Sequence, residues 1–410
     1  MEHFLQEAKA SSRVLSTLSG TEKNRILKEM AEALREHKAS ILHANQLDMD
    51  NAQKSGLSSA LKDRLLLDES RVEGMAVAIE EIATLKEPVG RVLDGWYADA
   101  GFKIEKVSVP IGVIGVIYES RPNVTADVGA LCFKSGNVAI LKGGKEAEHS
   151  NRAIGEVLQG VLKTNNLPIG AIALLPDASR EGVAKLIKQD AYVDLIVPRG
   201  GEALIKYVSS NATVPVVKHD KGLCHTYIDK DADFEKGVEI VLNAKCRRTG
   251  ICGAMETLLV DVAIAKALLP RIKEVFDAQG TEIRGCERTR KIIDTPIATV
   301  EDYDTEYLDN ILTLKVVDGV EEAVTHIEKY GSQHSEAIVT ENYTTAELFL
   351  NSVDAACVYL NASTQFTDGG EFGFGAEVGI STNKLHARGP MGVSELTTYK
   401  YKIYGHGETR

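Results

Sequence analysis

The sequence predicts an α/β protein of two open parallel-sheet domains joined to a small β ribbon, and three observations carry that prediction. Its 410 residues exceed the roughly 250 to 300 at which a single hydrophobic core stops growing. From Val109 onward, short apolar runs alternate with segments of helical period, as in a parallel sheet covered by helices. A second series of the same kind begins after about Asp233.

Residues 1 to about 85 read as helices. Ser19 and Glu22 form a capping-box pattern, and Ile26, Leu27, Met30, Ala31 and Leu34 recur at helical spacing. Trp96 to Val109 alternates at Phe102, Ile104, Val107 and Val109, which predicts a strand pair suited to subunit contacts. Val113–Tyr118 is then a buried strand, Val124–Phe133 a helix, Val138–Leu141 a strand and Glu146–Lys163 a helix. Ala171–Leu175, a helix near Arg180–Lys188, and Leu195–Val197 continue the alternation. The second series has a helix near Phe234–Asn243, a strand Thr257–Val262 and a helix near Ile264–Ala278. Strands follow near Leu312–Val316, Ala337–Val339 and Val358–Leu360, and Leu396–Tyr404 reads as a terminal strand.

Composition narrows the function classes. Hydrophobic residues at 44% and charged residues at 26%, with no biased tract, indicate a chain that folds unaided. Lys and Arg total 47 against 59 Asp and Glu, without a basic stripe, which argues against nucleic-acid binding. The first twenty residues carry Glu2, Glu7, Lys9 and Arg13, and no window reaches the roughly 18 apolar residues of a membrane span, so a cytoplasmic protein is expected. Six cysteines, none in a CxxC pair, predict neither a disulfide scaffold nor a metal site.

Chemistry concentrates in Asn243–Ala254, where a helix gives way to a Gly-flanked turn before a strand. Lys245, Arg247 and Arg248 lie close to Cys246 and Cys252. Nearby cations lower a thiol's pKa and raise its thiolate fraction, so either cysteine is a candidate nucleophile. The bland alternative is a structural thiol beside a solvated basic turn.

The stretch Asn243 to Val260 resembles the active-cysteine signature of the gamma-glutamyl phosphate reductases, a branch of the aldehyde dehydrogenase superfamily. Pro110–Asn123, Gly136–Gly144, Tyr330–Ser332 and Phe372–Ser381 extend the similarity through almost the whole chain. The resemblance implies a dinucleotide-binding domain from 1–95 and 109–233, a catalytic domain from 234–388, and oligomerisation strands at 96–108 and 389–410. It implies Cys252 as nucleophile and Asn123 as side-chain donor to the oxyanion, beside the Cys252 backbone. It further implies Lys142 on the cofactor's adenosine ribose. Lys145, three positions on, suits a 2′-phosphate, which favours NADPH over NADH; a solvated lysine is the alternative.

Two residues depart from the family pattern: Thr249 stands where Pro is usual and Gly253 where Asn is usual. His219–Leu223 occupies the segment where hydrolytic relatives keep a glutamate base, and it has no glutamate. The expected reaction is therefore NADPH-dependent reduction of L-glutamyl 5-phosphate through a cysteine thioester, with no metal. A CoA-acylating aldehyde dehydrogenase or a non-catalytic descendant of the fold are the alternatives. Arg121, Lys245, Arg247 and Arg248 are candidates for the substrate's anionic groups, one or two of the four being expected to serve. A homo-oligomer is expected, with glutamate 5-kinase as the metabolic neighbour because acyl phosphates are labile.

Overall fold

The computed structural model describes residues 1–218 and 221–410. Two compact units result, Met1–Lys218 with Gly373–Gly379 and Met391–Arg410, and His219–Phe372 with Ile380–Pro390.

The first unit opens with helices α1 (Glu2–Leu15), α2 (Gly20–Glu36), α3 (Lys38–Lys54), α4 (Ser59–Leu65) and α5 (Glu69–Thr84). The capping box forms as the sequence predicts. Ser19 Oγ accepts from the Glu22 N–H at 3.2 Å, and the Glu22 carboxylate accepts from the Ser19 N–H at 3.1 Å. Strands β1 (Val92–Tyr97) and β2 (Lys103–Pro110) pair antiparallel. The α/β series follows as β3 (Val113–Tyr118), α6 (Asn123–Lys134), β4 (Val138–Lys142), α7 (Glu148–Thr164), β5 (Ile172–Leu174), α8 (Arg180–Leu186), β6 (Leu195–Arg199) and α9 (Glu202–Asn211). Among the described residues its four strands form a parallel sheet in the order β5-β4-β3-β6. β3 is buried along its whole length, which is why it reads as an unbroken apolar run.

The second unit carries β7 (Cys224–Ile228), α10 (Phe234–Cys246), β8 (Met255–Asp261), α11 (Val262–Ala278), β9 (Glu282–Gly285), α12 (Glu287–Arg290), β10 (Ile311–Val317), α13 (Val320–Tyr330), β11 (Ser335–Val339), α14 (Tyr343–Ser352) and β12 (Cys357–Leu360). A two-residue pair, β13 (Ile380–Ser381) and β14 (Gly389–Pro390), completes it. Its main sheet has the order β12-β11-β7-β8-β10-β9 among the described residues, every neighbouring pair parallel. Alternate residues of β8 feed opposite faces: Leu258 and Val260 join the cluster of Val241 on α10 and Leu268 on α11, while Leu259 joins Ala323 on α13 and Phe349 on α14.

The last strand, β15 (Thr397–Tyr404), pairs antiparallel with β2 over its full length, making a ribbon β1-β2-β15 within the first unit. Trp96, Tyr97, Tyr401 and Ile403 are exposed on it. No helix of the described residues is long and apolar enough to cross a membrane.

Several boundaries differ from the sequence reading, among them residues 389–390, which form β14 in the second unit and not part of the ribbon. β7 has no counterpart among the strands expected from the sequence, yet it pairs with β8 and β11, so the second unit begins well before residue 234. Residues 373–379 join the first unit rather than the catalytic domain, and 380–388 remain in the second. The ribbon's first strand also starts earlier, at Val92. A strand's apolar pattern reports that both faces are covered, not which sheet it enters.

Candidate active site

In the second unit, α10 ends at Cys246 and the chain turns through Thr249 and Gly250 before entering β8. Cys252 lies in this loop, half-buried, on the amino side of the sheet. The general rule for open sheets points to the carboxyl edge instead. The sequence order already implies this, since the turn carrying Cys252 precedes β8 and does not follow it.

The backbone around Cys252 is closely held. Its carbonyl accepts from the Cys224 thiol at 3.1 Å. A Cβ on Gly222 would stand 2.2 Å from that carbonyl oxygen and 2.5 Å from the Cys252 Cα, so the backbone approach admits only glycine. Gly253 gives its carbonyl to the Thr364 hydroxyl at 2.7 Å. A Cβ there would be 3.0 Å from the Thr364 carbonyl oxygen, so glycine suits a tight loop at the position where the family pattern has Asn. In the segment expected to lack a hydrolytic base, His219 and Asp220 lie outside the described residues, and the Lys221 ammonium binds the Asp304 carbonyl oxygen at 2.9 Å.

The other candidate thiol is placed elsewhere. Cys246 occupies the last turn of α10 with its sulfur 3.4 Å from the Thr281 hydroxyl. None of the six cysteines is in a disulfide. Burial pushes the Cys132 thiol up to about 12 and the Cys224 thiol well above its ordinary value, so neither suits nucleophilic work at neutral pH.

Lys245 requires a correction. Its side chain is fully buried with Nζ 2.6 Å from Glu256 Oε2, so its charge is spent inside the protein and is not offered to a substrate. Glu256 Oε1 accepts from the Leu308 N–H at 3.3 Å. Burial pushes the Glu256 carboxyl up to about 7, although Lys245 and that N–H pull it down. Arg247 and Arg248 are exposed, and Arg247 Nη1 reaches Gln365 Oε1 at 3.4 Å.

In the first unit the candidates gather at the carboxyl edge of the sheet. Asn123 opens α6 just beyond β3, and its Nδ2 donates to Asp127 Oδ2 at 2.8 Å. An amide nitrogen carries two hydrogens, and this bond uses one. Burial pushes the Asp127 carboxyl up to about 6, against the pull of Asn123 and Arg199. Arg121 is half-buried two residues before Asn123. Lys142 ends β4 with its ammonium made less basic by burial, opposed by Glu146 and Glu119. Lys145 is exposed in the one-turn helix Lys145–Ala147.

Gly200 and Gly201, between β6 and α9, escape the sequence reading, although a Gly-Gly pair between strand and helix is itself a signal for a phosphate site. The N-cap Gly201 has no side chain to cap α9, but the Glu119 carboxylate accepts from the Gly201 N–H at 3.0 Å, and a Cβ on Gly200 would stand 2.4 Å from that carboxylate. The two glycines thus make room for a carboxylate at the helix N-terminus, which opposes a phosphate there, and at this sheet edge it is the ammonium of Lys142 that suits the ribose of a dinucleotide.

Residues 1–282 match the profile of the aldehyde dehydrogenase family. Gamma-glutamyl phosphate reductases of Sulfurovum sp. and Sulfurimonas denitrificans are each 71% identical over the whole of both chains. The crystal structure of the gamma-glutamyl phosphate reductase of Thermotoga maritima superposes with a TM-score of 0.98 at 46% identity, covering 100% of this chain and 99% of that one. The chain belongs to the aldehyde dehydrogenase family, in its gamma-glutamyl phosphate reductase branch. It is an oxidoreductase that uses a nicotinamide cofactor.

Proposed function

We propose that this chain reduces L-glutamyl 5-phosphate to L-glutamate 5-semialdehyde with release of phosphate, the second step of proline biosynthesis, and that NADPH is the reductant. The observation that carries the reading is the half-buried Cys252 thiol in a loop whose flanking carbonyls are bonded to other groups, in a chain 71% identical to enzymes of that name.

The Cys252 thiolate attacks the acyl carbon, the C–O bond to phosphate breaks, and a thioester remains on the enzyme. The oxyanion of this step is stabilised by the Cys252 backbone N–H, a type of contact worth roughly 3 to 4 kcal/mol of barrier. Bound NADPH would supply the hydride that takes the thioester to the level of a thiohemiacetal anion. Collapse of that anion, as the C=O bond re-forms and the C–S bond breaks, releases the aldehyde and restores the Cys252 thiolate. Lys142 would hold the dinucleotide at its ribose, and Lys145 would meet its 2′-phosphate. Arg121, Arg247 and Arg248 remain the candidates for the substrate's anionic groups. The exposed aromatic ribbon, with Tyr97 at 73% and Ile403 at 62% exposure, is the surface through which copies associate.

Reverse turnover tests the reading. Glutamate semialdehyde with NADP should be oxidised only when phosphate or arsenate is present, because 219–223 contains no glutamate to direct water at the thioester. A requirement for CoA in place of phosphate would overturn it.

A further inference from the structure

We infer that Thr364 and Gln365, adjacent residues far from the nucleophile in sequence, are positioning residues for Cys252. The inference rests on Cys252 being the nucleophile. Both side chains are buried, in the one-turn helix Thr364–Phe366 that follows β12. They hold the nucleophile loop at both ends. Gln365 Nε2 donates to the carbonyls of Ala244 at 2.9 Å and Arg248 at 3.2 Å, the last of which lies just beyond the end of α10. Such carbonyls have no partner within the helix and need one from outside. Thr364 Oγ1 donates to the carbonyl of Gly253 at 2.7 Å, on the other side of the thiol. The eight residues from 246 to 253 are therefore held between two neighbouring side chains.

The one-turn helix is itself anchored back to the loop by a buried chain of polar contacts. The Thr367 hydroxyl is 2.5 Å from that of Ser335 and 2.7 Å from that of Tyr359. Ser335 Oγ is 2.9 Å from His334 Nδ1, which is 3.7 Å from Cys224 Sγ, and the Cys224 thiol donates to the Cys252 carbonyl. Movement of the Thr364–Phe366 turn is thus opposed from two directions, and the carbonyls of Ala244, Arg248, Cys252 and Gly253 are all engaged from outside the loop. Gln365 Oε1 also accepts from Arg247 Nη1 at 3.4 Å, which fixes the orientation of the Gln365 amide. A nucleophile on a loop needs such support, because a misplacement of about 1 Å costs on the order of 100-fold in rate.

The test compares Thr364→Val, Gln365→Leu and Thr364→Ser in the full-length enzyme. Each is read by reverse turnover, by NADPH binding, and by the rate and pH midpoint of iodoacetamide alkylation at Cys252, located by mass spectrometry. Thr364→Val and Gln365→Leu should lower kcat about 10- to 100-fold and slow alkylation, with KM and NADPH binding little changed, and Thr364→Ser should restore both rates. Wild-type kcat and alkylation in a folded Thr364→Val protein would overturn the assignment. Should Gln365→Leu not fold, Thr364→Val decides alone, since it removes one hydroxyl at nearly constant volume. Cys252→Ser separates the two ideas. If it keeps turnover, the nucleophile is wrong; if it is inactive while Thr364→Val is normal, only the positioning role fails.

Discussion

Asn123 and Asp127 stand one helical turn apart on α6, and the amide of the first donates to the carboxylate of the second at 2.8 Å. The spacing i, i+4 places both on one face, so the contact is local. It settles which end of the Asn123 amide is nitrogen and aims the remaining N–H. It also holds a carboxyl whose pKa burial raises to about 6.

That raised pKa makes stability depend on pH. Between about pH 4 and 6 the unfolded chain has lost the Asp127 proton and the folded chain keeps it, so stability contributed at low pH falls as pH rises through this window. The loss is of order 1 to 3 kcal/mol, since a tenfold difference in proton affinity between the two states is about 1.4 kcal/mol. Asp127→Asn should flatten this part of the profile. Denaturant unfolding of both proteins from pH 4 to 7 checks it, and parallel profiles would remove Asp127 as the cause.

Lys245→Met should destabilise the protein by about 3 to 5 kcal/mol, because it leaves Glu256 buried without its counter-charge. Lys245→Met with Glu256→Met should recover most of that loss, since exchanging a whole buried pair for apolar volume is often nearly neutral. Urea midpoints at constant m-value would show the difference. Equal losses in the single and double variants would mean that packing, rather than charge, is at stake.

Cys252→Ala should reduce turnover by at least about a thousandfold while NADPH still binds, because the thiol forms the covalent intermediate and does not hold the dinucleotide. Cys246→Ala should stay active, its sulfur being turned toward Thr281. Steady-state rates with calorimetric binding distinguish the two, and exchanged phenotypes would relocate the nucleophile.

Lys145→Glu should cut the preference for NADPH over NADH about tenfold, because a carboxylate repels the 2′-phosphate but accepts from a free 2′-hydroxyl. The maximal rate at saturating cofactor should change much less than the affinity. Kinetics with both cofactors decide this, and an unchanged ratio would show that exposed Lys145 is only a solvated charge.

The parts of this protein legible from its residues are those governed by neighbours a few positions away. The Ser19–Glu22 capping box, the buried run Val113–Tyr118 and the Gly-flanked turn carrying Cys252 beside cations all depend on short-range periodicity and residue type. The family signature adds the reaction class to these. Tertiary structure decided what depends on distant partners. β7 enters the second sheet because β8 and β11 flank it. Lys245, which reads as one of three basic residues in a turn, is buried because Glu256 lies across from it on β8. The grip on the loop joins Thr364 to Gly253 across 111 positions and Gln365 to Ala244 across 121. No local pattern encodes such contacts, because chain topology alone brings those carbonyls and donors within hydrogen-bonding distance.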